Sequence, residues 1–231
     1  MSILLPLSAA KISAYLRCER YFVDKYIRKT FKSVPNPAAA EGIEKHKFFE
    51  EVIKGQPVTK EFPELRNHAE IAASLPGIKH AEVEICVTSD MVEVDWWDKQ
   101  GFIRGKTDLL LEGDTLTIYD WKFTKGSGVQ EAKKYRLEMD IFVFLVFQKY
   151  PSYEDIIVEL HWFGENVESP VKWKYNRKKD IHRIQRMISG LHRAMEKNVL
   201  LDNWPVRPSP LCKGWCDNTG CPAWEPKKEE N

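Results

Sequence analysis

The chain of 231 residues is long enough for one sizeable folded domain. Hydrophobic residues make up 43% and charged residues 30% of it, a composition that excludes disordered and fibrous proteins. The formal net charge of +1 argues against a strongly basic protein that coats DNA, although it leaves room for a local basic surface. The apolar start at residues 3–7 contains Pro6 and has no basic leader, so we expect neither a secretory signal nor a membrane span, and a cytoplasmic location.

Two amphipathic helices are predicted in the N-terminal part. Apolar residues recur at three- and four-residue spacing over residues 12–27, and Ser8 is a suitable N-cap for this helix. Asn36-Pro37 then has the pattern of a cap followed by proline at the first helical position, so a second helix is predicted to about residue 54. This second helix carries His46.

The pattern changes from helical to alternating after a third segment, helical or irregular, that ends at Leu75-Pro76-Gly77. Gly113-Asp114 has the composition of a tight turn between two strands. Short connections between consecutive strands predict an antiparallel meander. The strands predicted in it are residues 83–87, 91–97, 102–112 and 116–123.

A helix and two further strands complete the predicted sheet region. Gly126 and Gly128 interrupt the pattern, residues 130–150 form a strongly apolar helix, and strands 156–163 and 171–175 flank a turn at residues 164–166. A last helix over residues 177–197 precedes a cysteine-bearing tail. We therefore expect one α/β domain over residues 1–231. Its parts are a helical N-terminal part (1–75), a catalytic sheet and helix (80–175), and a C-terminal helix with the Cys tail (176–231).

Asp120 and Lys122 are two residues apart in a predicted strand, so their side chains leave it on the same face. Asp108 lies opposite Asp120 if the two strands fold about position 114, which a three-residue turn at 113–115 allows. An Asp-x-Lys sequence also occurs by chance on the solvent faces of hairpins. Here both aspartates interrupt apolar strands, where a buried charge needs a reason, and this context favours a functional site.

The chemistry of these three residues suits a divalent cation. Two facing aspartates repel each other unless a cation lies between them, and hard oxygen ligands favour Mg²⁺ or Mn²⁺ over zinc. Such an ion polarises a phosphate and lowers the pKa of water, while a neighbouring lysine orients the water or stabilises the transition state. Asp108, Asp120 and Lys122 therefore predict phosphodiester hydrolysis.

Four segments, in order, resemble the motifs of RecB-like nucleases of the PD-(D/E)XK superfamily. Gly105-Lys106-Thr107-Asp108 resembles the Gly-x-x-Asp motif, and Asp120-Trp121-Lys122 resembles the Asp-x-Lys motif. Gly42-Ile43-Glu44-Lys45-His46 resembles the Gly-x-x-x-His helix, and residues 8–26 resemble the N-terminal segment. The resemblance covers most of the chain, and it implies a restriction-endonuclease-like α/β fold with a mixed sheet core flanked by helices.

The resemblance also implies roles for individual residues. Lys122 would be the catalytic lysine. The family's Gln-x-x-x-Tyr motif aligns with Glu138 and Phe142, and a glutamate cannot donate to a phosphate as a glutamine amide does. Glu138 is therefore a candidate DNA contact, a ligand of a water or second metal ion, or a helix-surface residue. The implied metal ligands are His46, Asp108, Asp120 and the backbone carbonyl of Trp121.

Three of the five cysteines lie in the last twenty residues, and in a reducing cytosol this clustering indicates metal ligation more than disulfides. Cys18, Cys212, Cys216 and Cys221 resemble the site of AddB-type and CRISPR-adaptation nucleases, where one N-terminal and three C-terminal cysteines hold a [4Fe–4S] cluster. The spacings of three and four residues between the C-terminal cysteines depart from the family's usual two and five. A structural zinc site and free thiols are the alternatives, and Cys86 is expected in a strand.

Basic residues after the predicted centre are candidate phosphate contacts, although such runs are usually solvated faces. The candidates in the densest run are Lys172, Lys174, Arg177 and Lys178. Four tryptophans could stack on unpaired bases or pack within the sheet, and the sequence assigns neither role. They are Trp96, Trp97, Trp121 and Trp173.

The sequence therefore leads to the hypothesis of a Mg²⁺- or Mn²⁺-dependent DNA exonuclease. Its expected substrate is single-stranded DNA or DNA with free ends, and its expected partners are proteins of recombination, replication or repair, with no membrane association. A structure-specific endonuclease and a non-catalytic DNA-end-binding or adaptation factor are the alternatives.

Overall fold

A mixed six-stranded sheet lies at the centre of the fold. The computed structural model describes residues 6–33, 37–124, 128–163 and 170–227. The strands are β1 (Ile78–Val87), β2 (Glu93–Val94), β3 (Ile103–Glu112), β4 (Leu116–Lys122), β5 (Asp155–Trp162) and β6 (Val171–Asn176). Their spatial order is β2-β1-β3-β4-β5-β6. Neighbouring strands are antiparallel except β4 and β5, which are parallel because the chain crosses over between them through a helix.

Helices cover both faces of this sheet, and the expected α/β fold with a mixed sheet flanked by helices is confirmed. Among the described residues, no helix is both long and apolar enough to cross a membrane. The helices are α1 (Ala9–Arg17), α2 (Glu19–Phe22), α3 (Pro37–Ile53), α4 (Pro63–Ser74), α5 (Gly128–Ala132), α6 (Arg136–Lys149) and α7 (Arg177–Leu201).

Two hydrophobic clusters pack on opposite faces of the sheet. The larger cluster joins α1, α6 and α7 to the sheet and includes Ile118 of β4. The smaller cluster joins α3 and α4 to the sheet and includes Tyr119 and Trp121. Because side chains alternate along a strand, Asp120 lies on the same face of β4 as Ile118 and the larger cluster.

The N-terminal helical region is interrupted at Cys18, so the prediction of one helix to residue 27 was wrong. Ser8 caps α1 as predicted, since its Oγ accepts a hydrogen bond from the Lys11 N–H at 3.3 Å. Cys18 then has an extended backbone (φ −163°, ψ 115°), and the chain continues as α2 and a π-helical turn at Val23–Ile27. The apolar periodicity continues across the interruption, which is why the sequence pattern did not reveal it.

Helix α3 ends close to the predicted position. Gly55 has φ +64°, and its N–H donates to the carbonyl of Val52 at 3.1 Å, so the glycine ends the helix as expected. The third predicted segment is helical and forms α4. The expected cap at Asn36, the interruption at Gly126 and the turn at residues 164–166 lie outside the described residues.

The turn between β3 and β4 has the predicted register. Leu109 pairs with Tyr119, Leu110 with Ile118, and Leu111 with Thr117, so the hairpin folds about position 114. Residues 113–115 form the connection. This hairpin brings Asp108 of β3 to the part of β4 that carries Asp120.

Two predicted elements differ from the structure. Only Glu93–Val94 of the predicted strand 91–97 pairs with β1, because Met91 turns the chain (φ +63°) and residues 95–101 form further turns. The predicted helix over residues 130–150 is divided into α5, a 3-10 turn at Lys133–Tyr135, and α6. The division places Tyr135 at the start of α6, near the end of β4.

Candidate metal centre

The end of β4 carries a buried ion pair. Asp120 is 3% exposed, and its Oδ2 lies 2.8 Å from Nζ of Lys122. The same ammonium lies 3.3 Å from Oε2 of Glu138 on α6 and 4.2 Å from the centre of the Tyr135 ring. The two side chains that share a face of β4 are therefore in contact, and α6 supplies a second carboxylate to the lysine.

Asp108 links β3 to both β4 and α3. Its Oδ2 accepts a hydrogen bond from the Trp121 N–H at 2.6 Å, and its Oδ1 lies 3.1 Å from Nδ1 of His46. The ladder between β3 and β4 ends at the pair Leu109 and Tyr119, and beyond it the amide of Trp121 bonds to the aspartate side chain. Asp108 is thus held between the strand of Asp120 and the helix of His46.

Glu82 of β1 is an acidic residue of this centre that the sequence analysis missed. One ligand atom each from His46, Glu82 and Asp108 lies within 4.8 Å of the other two. Glu82 has φ +58°, a conformation that is uncommon for a residue with a Cβ atom. Val83 packs against the larger cluster, whereas Ala81 pairs with Leu109 of the smaller one. Residues two apart in a regular strand share a face, so the alternation of side chains along β1 is interrupted at Glu82.

Burial and mutual repulsion shape the electrostatics of the carboxylates. Burial raises the pKa of Asp120 to about 8, and the charges of Asp108 and Glu138 add to this effect against the opposing charge of Lys122. Burial also raises the pKa of Glu82, although its contact with Lys106 partly offsets the rise. Ionised carboxylates at this position therefore need positive charge that the protein alone does not fully supply.

The two basic groups respond in the opposite sense. Burial alone would lower the pKa of Lys122, but Asp120 and Glu138 outweigh it and raise that pKa above its ordinary value. Burial would likewise lower the pKa of His46, and the contact with Asp108 more than compensates, so its pKa is raised. Lys122 therefore stays protonated at neutral pH.

The donor set fits a hard divalent cation. Carboxylate oxygens with one imidazole suit Mg²⁺ or Mn²⁺ more than a thiolate-preferring metal. Asp120 supports the fit independently, because its ionised form is costly in this buried position even beside the Lys122 ammonium. The residues whose ligand atoms converge for such an ion are His46, Glu82 and Asp108, whereas Asp120 is outside this group and contacts Lys122.

Two motif glycines have different surroundings. A Cβ atom on Gly105 would lie 2.9 Å from Leu145 and 3.0 Å from Phe142 of α6, so the glycine allows α6 to approach β3 closely. A Cβ atom on Gly42 of α3 would meet nothing within 4 Å. Close packing explains the first glycine, and no contact within the described residues explains the second.

The four predicted cluster cysteines line one cavity of about 110 Å³ at the junction of the two chain ends. Trp224 donates a hydrogen bond from Nε1 to the carbonyl of Cys216 at 3.1 Å, which holds the C-terminal segment around the cavity. Within the described residues, no three of the thiols lie within 4.8 Å of one another. Cys86 is a buried residue of β1, as expected.

The predicted basic run is engaged in local contacts. Arg177 donates to the carbonyls of Tyr150 at 2.7 Å and Tyr153 at 2.9 Å, an arrangement that holds the start of α7. The part of these residues in DNA binding stays a prediction. The three lysines each lie near a carboxylate: Lys172 is 2.7 Å from Glu159, Lys174 is 2.9 Å from Asp155, and Lys178 is 3.9 Å from Glu154.

Comparison with known proteins gives distant structural similarity. No protein-family model matches the chain, and a search of curated proteins finds no match. The solved structure of SSO0001 is 15% identical, with 94% of this chain and 86% of that chain covered and a TM-score of 0.49. A phage-related exonuclease from Haemophilus somnus 129PT is 11% identical, with 86% of this chain and 97% of that chain covered and a TM-score of 0.41.

Proposed function

We propose that this chain is a metal-dependent deoxyribonuclease of the PD-(D/E)XK type. The observation that carries the proposal is the buried Asp120–Lys122 pair beside the converging ligand atoms of His46, Glu82 and Asp108. A carboxylate cluster next to a protonated lysine is what the hydrolysis of a phosphodiester requires. We also propose that residues 1–231 form one nuclease domain, since helices from both chain ends pack on the same sheet.

The proposed metal ion is Mg²⁺ or Mn²⁺. We propose that His46, Asp108, Asp120 and the backbone carbonyl of Trp121 hold it, and we add Glu82 to this set because its carboxylate lies within 4.8 Å of two of them. When bound, the cation neutralises charge that develops on the scissile phosphate and makes a nearby water more acidic. The carboxylate of Asp120 then stays ionised at neutral pH.

Lys122 acts in this proposal as a charged hydrogen-bond donor. Its raised pKa keeps the ammonium protonated, so it orients the attacking water or stabilises the phosphate charge and does not accept a proton. Glu138 is a positioning residue, because its carboxylate, 3.3 Å from Nζ, continues to hold the ammonium when Asp120 binds a cation.

The proposed substrate is DNA that is single-stranded or has free ends, cut as an exonuclease in recombination, replication or repair, with proteins of those processes as partners. Sequence-independent phosphate contacts would come from basic side chains. We keep the candidates Lys172, Lys174, Arg177 and Lys178, and expect their effect on affinity to fall with rising salt concentration.

The test is an assay on end-labelled linear DNA and closed circular DNA with Mg²⁺, Mn²⁺ or EDTA. We expect cleavage of linear DNA that EDTA abolishes, and a loss of at least about 100-fold in Asp120→Asn and Lys122→Met. Lys134→Ala, whose side chain is 69% exposed, is the matched control and should retain activity. Full activity in either centre variant would overturn the proposed site. Cleavage of circular DNA would favour the endonuclease alternative, and binding without cleavage the non-catalytic one.

We further propose that Cys18, Cys212, Cys216 and Cys221 hold a [4Fe–4S] cluster. Support comes from the single cavity that all four line and from their number, since such a cluster needs four thiolates. The cluster would join the two chain ends, and its assembly suits the reducing cytoplasm that we propose as the location.

Anaerobic purification tests the cluster. We expect a brown protein with a broad absorbance band near ~400 nm and four irons per chain, both lost in Cys216→Ser and retained in the control Cys86→Ala. A colourless protein with one equivalent of zinc would establish the zinc alternative. A colourless, metal-free protein whose four thiols all react with a thiol reagent would establish free cysteines.

A further inference from the structure

Trp96, Trp97 and Arg104 form a surface at the start of β3, which we call the tryptophan platform. The Arg104 guanidinium lies 4.6 Å from the centre of the Trp96 ring and 4.8 Å from that of Trp97. It also donates to the Trp96 carbonyl at 3.0 Å, which fixes its position. Trp97 is nevertheless 78% exposed, the most exposed tryptophan in the described part of the chain. Its indole contacts the Trp96 ring, with ring centres 6.3 Å apart, and presents the rest of its apolar surface to solvent.

Asp95 and Asp98 flank the two tryptophans in the sequence, but within the described residues neither forms an ion pair with Arg104. Within residues 6–33, 37–124, 128–163 and 170–227, none of Lys11, Lys29 and Arg104 forms an ion pair with a carboxylate. Asp98 of the adjacent loop instead accepts a hydrogen bond from the N–H of Gln100 at 2.7 Å.

Lys11 lies near enough to Arg104 and Lys29 for their charges to act on it. Burial lowers the pKa of Lys11, and the charges of Arg104 and Lys29 lower it further. Arg104 beside an exposed indole, with Lys11 near enough for the two charges to interact, forms a surface complementary to an anion with an attached planar group.

The platform and the metal centre both draw residues from β3. Ile103 faces the larger cluster, and a Cβ atom on Gly105 would contact α6, so Arg104 and Lys106 project from the opposite face of β3. That is the face on which α3 and His46 lie. Lys106 forms an ion pair with Glu82. Arg104 precedes Asp108 by four residues, which is about 13 Å along a strand, a span that a few nucleotides bridge.

We propose that the tryptophan platform binds the unpaired strand of a DNA substrate, with a base stacked on Trp97 and phosphates near Arg104 and Lys11. Stacking on an aromatic ring beside a cationic track is a general way to bind single strands without sequence preference. This inference deepens the proposed nuclease function, since it names the surface that selects a single strand and leads it to the metal centre.

Binding without catalysis tests the platform separately from the nuclease. Fluorescence anisotropy would follow a labelled 12-nucleotide oligo(dT) in EDTA, with wild type, Trp97→Ala and Trp97→Tyr. We expect Trp97→Ala to weaken binding about 5- to 150-fold, the range that one stacked base contributes. Trp97→Tyr keeps an aromatic ring and should keep most of the affinity. Leu200→Ala, at a leucine that is 84% exposed on α7, is the control and should bind as wild type.

Salt dependence tests the charge of the platform. Arg104→Gln should reduce the slope of log affinity against log salt concentration by about 0.7, as expected for one phosphate contact on a single strand. Equal affinity of wild type and Trp97→Ala, or an equal loss with blunt duplex DNA, would overturn the platform. Absence of metal-dependent cleavage with Trp97-dependent binding intact would instead overturn only the nuclease proposal.

Discussion

Replacement of Asp120 with asparagine should stabilise the metal-free protein while it removes activity. Burial raises the pKa of this carboxyl to about 8 in the folded protein, whereas an aspartate in an unfolded chain titrates near pH 3.9. Folding therefore takes up a proton between these two values. The free energy of unfolding therefore falls as the pH rises from about 4 towards 8. Over this range the unfolded chain releases the proton of Asp120, whereas the folded protein must either retain that proton or bury the carboxylate as an anion.

The size of the effect follows from the titration range. One proton taken up on folding changes the free energy of unfolding by about 1.4 kcal/mol per pH unit, which gives at most about 4 kcal/mol between pH 4 and pH 7. Asparagine has nearly the same shape without the charge, and Lys122 keeps Glu138 as a partner. Since the contact between Asp120 and Lys122 is also lost, we expect a gain of about 1–4 kcal/mol at pH 7, or about 2–16 °C in Tm for a chain of this size.

Thermal unfolding in EDTA at several pH values between 4.5 and 8 measures this gain. The difference in Tm between Asp120→Asn and wild type should widen as the pH rises, and Asp114→Asn in the exposed turn should show no such trend. Addition of Mn²⁺ should stabilise wild type and narrow the gap, by about 2.7 kcal/mol at a hundredfold excess over Kd. Equal stability of the two proteins at pH 7, or a gap that shrinks with rising pH, would refute the reasoning.

Three further substitutions test individual contacts of the centre. Glu82→Gln should weaken Mn²⁺ binding at least about tenfold in calorimetric titration, and an unchanged affinity would remove Glu82 from the ligand set. Gly105→Ala should lower the free energy of unfolding in urea by about 1–3 kcal/mol, since the new methyl group would press on Phe142 and Leu145; wild-type stability would show that α6 can move away at no cost. Gly42→Ala should raise that free energy by about 0.5–1 kcal/mol, because the added Cβ meets nothing in the folded protein and helix propensity improves. A loss of stability in Gly42→Ala would contradict the open surroundings of this position.

The hairpin of the centre could be predicted from sequence because local rules determine it. A short turn at residues 113–115 and the strict alternation of a strand together allow few registers, and the observed pairs fold about the predicted position. The contact between Asp120 and Lys122 follows from the same alternation. These features depend only on neighbours within about fifteen residues of one another.

Glu82 could not be found in this way. In the alternating pattern of β1 it has the appearance of a solvent-facing residue, and only its left-handed backbone and the resulting change of sides turn it towards His46 and Asp108. A glutamate gives no sequence signal for that conformation, unlike a glycine. The interruption at Cys18 was missed for a related reason, since the extended backbone there is set by packing and not by a helix-breaking residue type.

The centre draws its side chains from two separately packed layers. His46 is carried by α3, which the smaller cluster attaches to the sheet, while Asp120 and Lys122 face the larger cluster and α6. Opening of the smaller layer alone would withdraw the imidazole and leave the two β4 side chains in place, so the free energy of this local opening limits the lifetime of the complete site. A cation bound by residues from both layers would link the two layers. After its release, the helix of His46 would open at a lower free energy than the larger core.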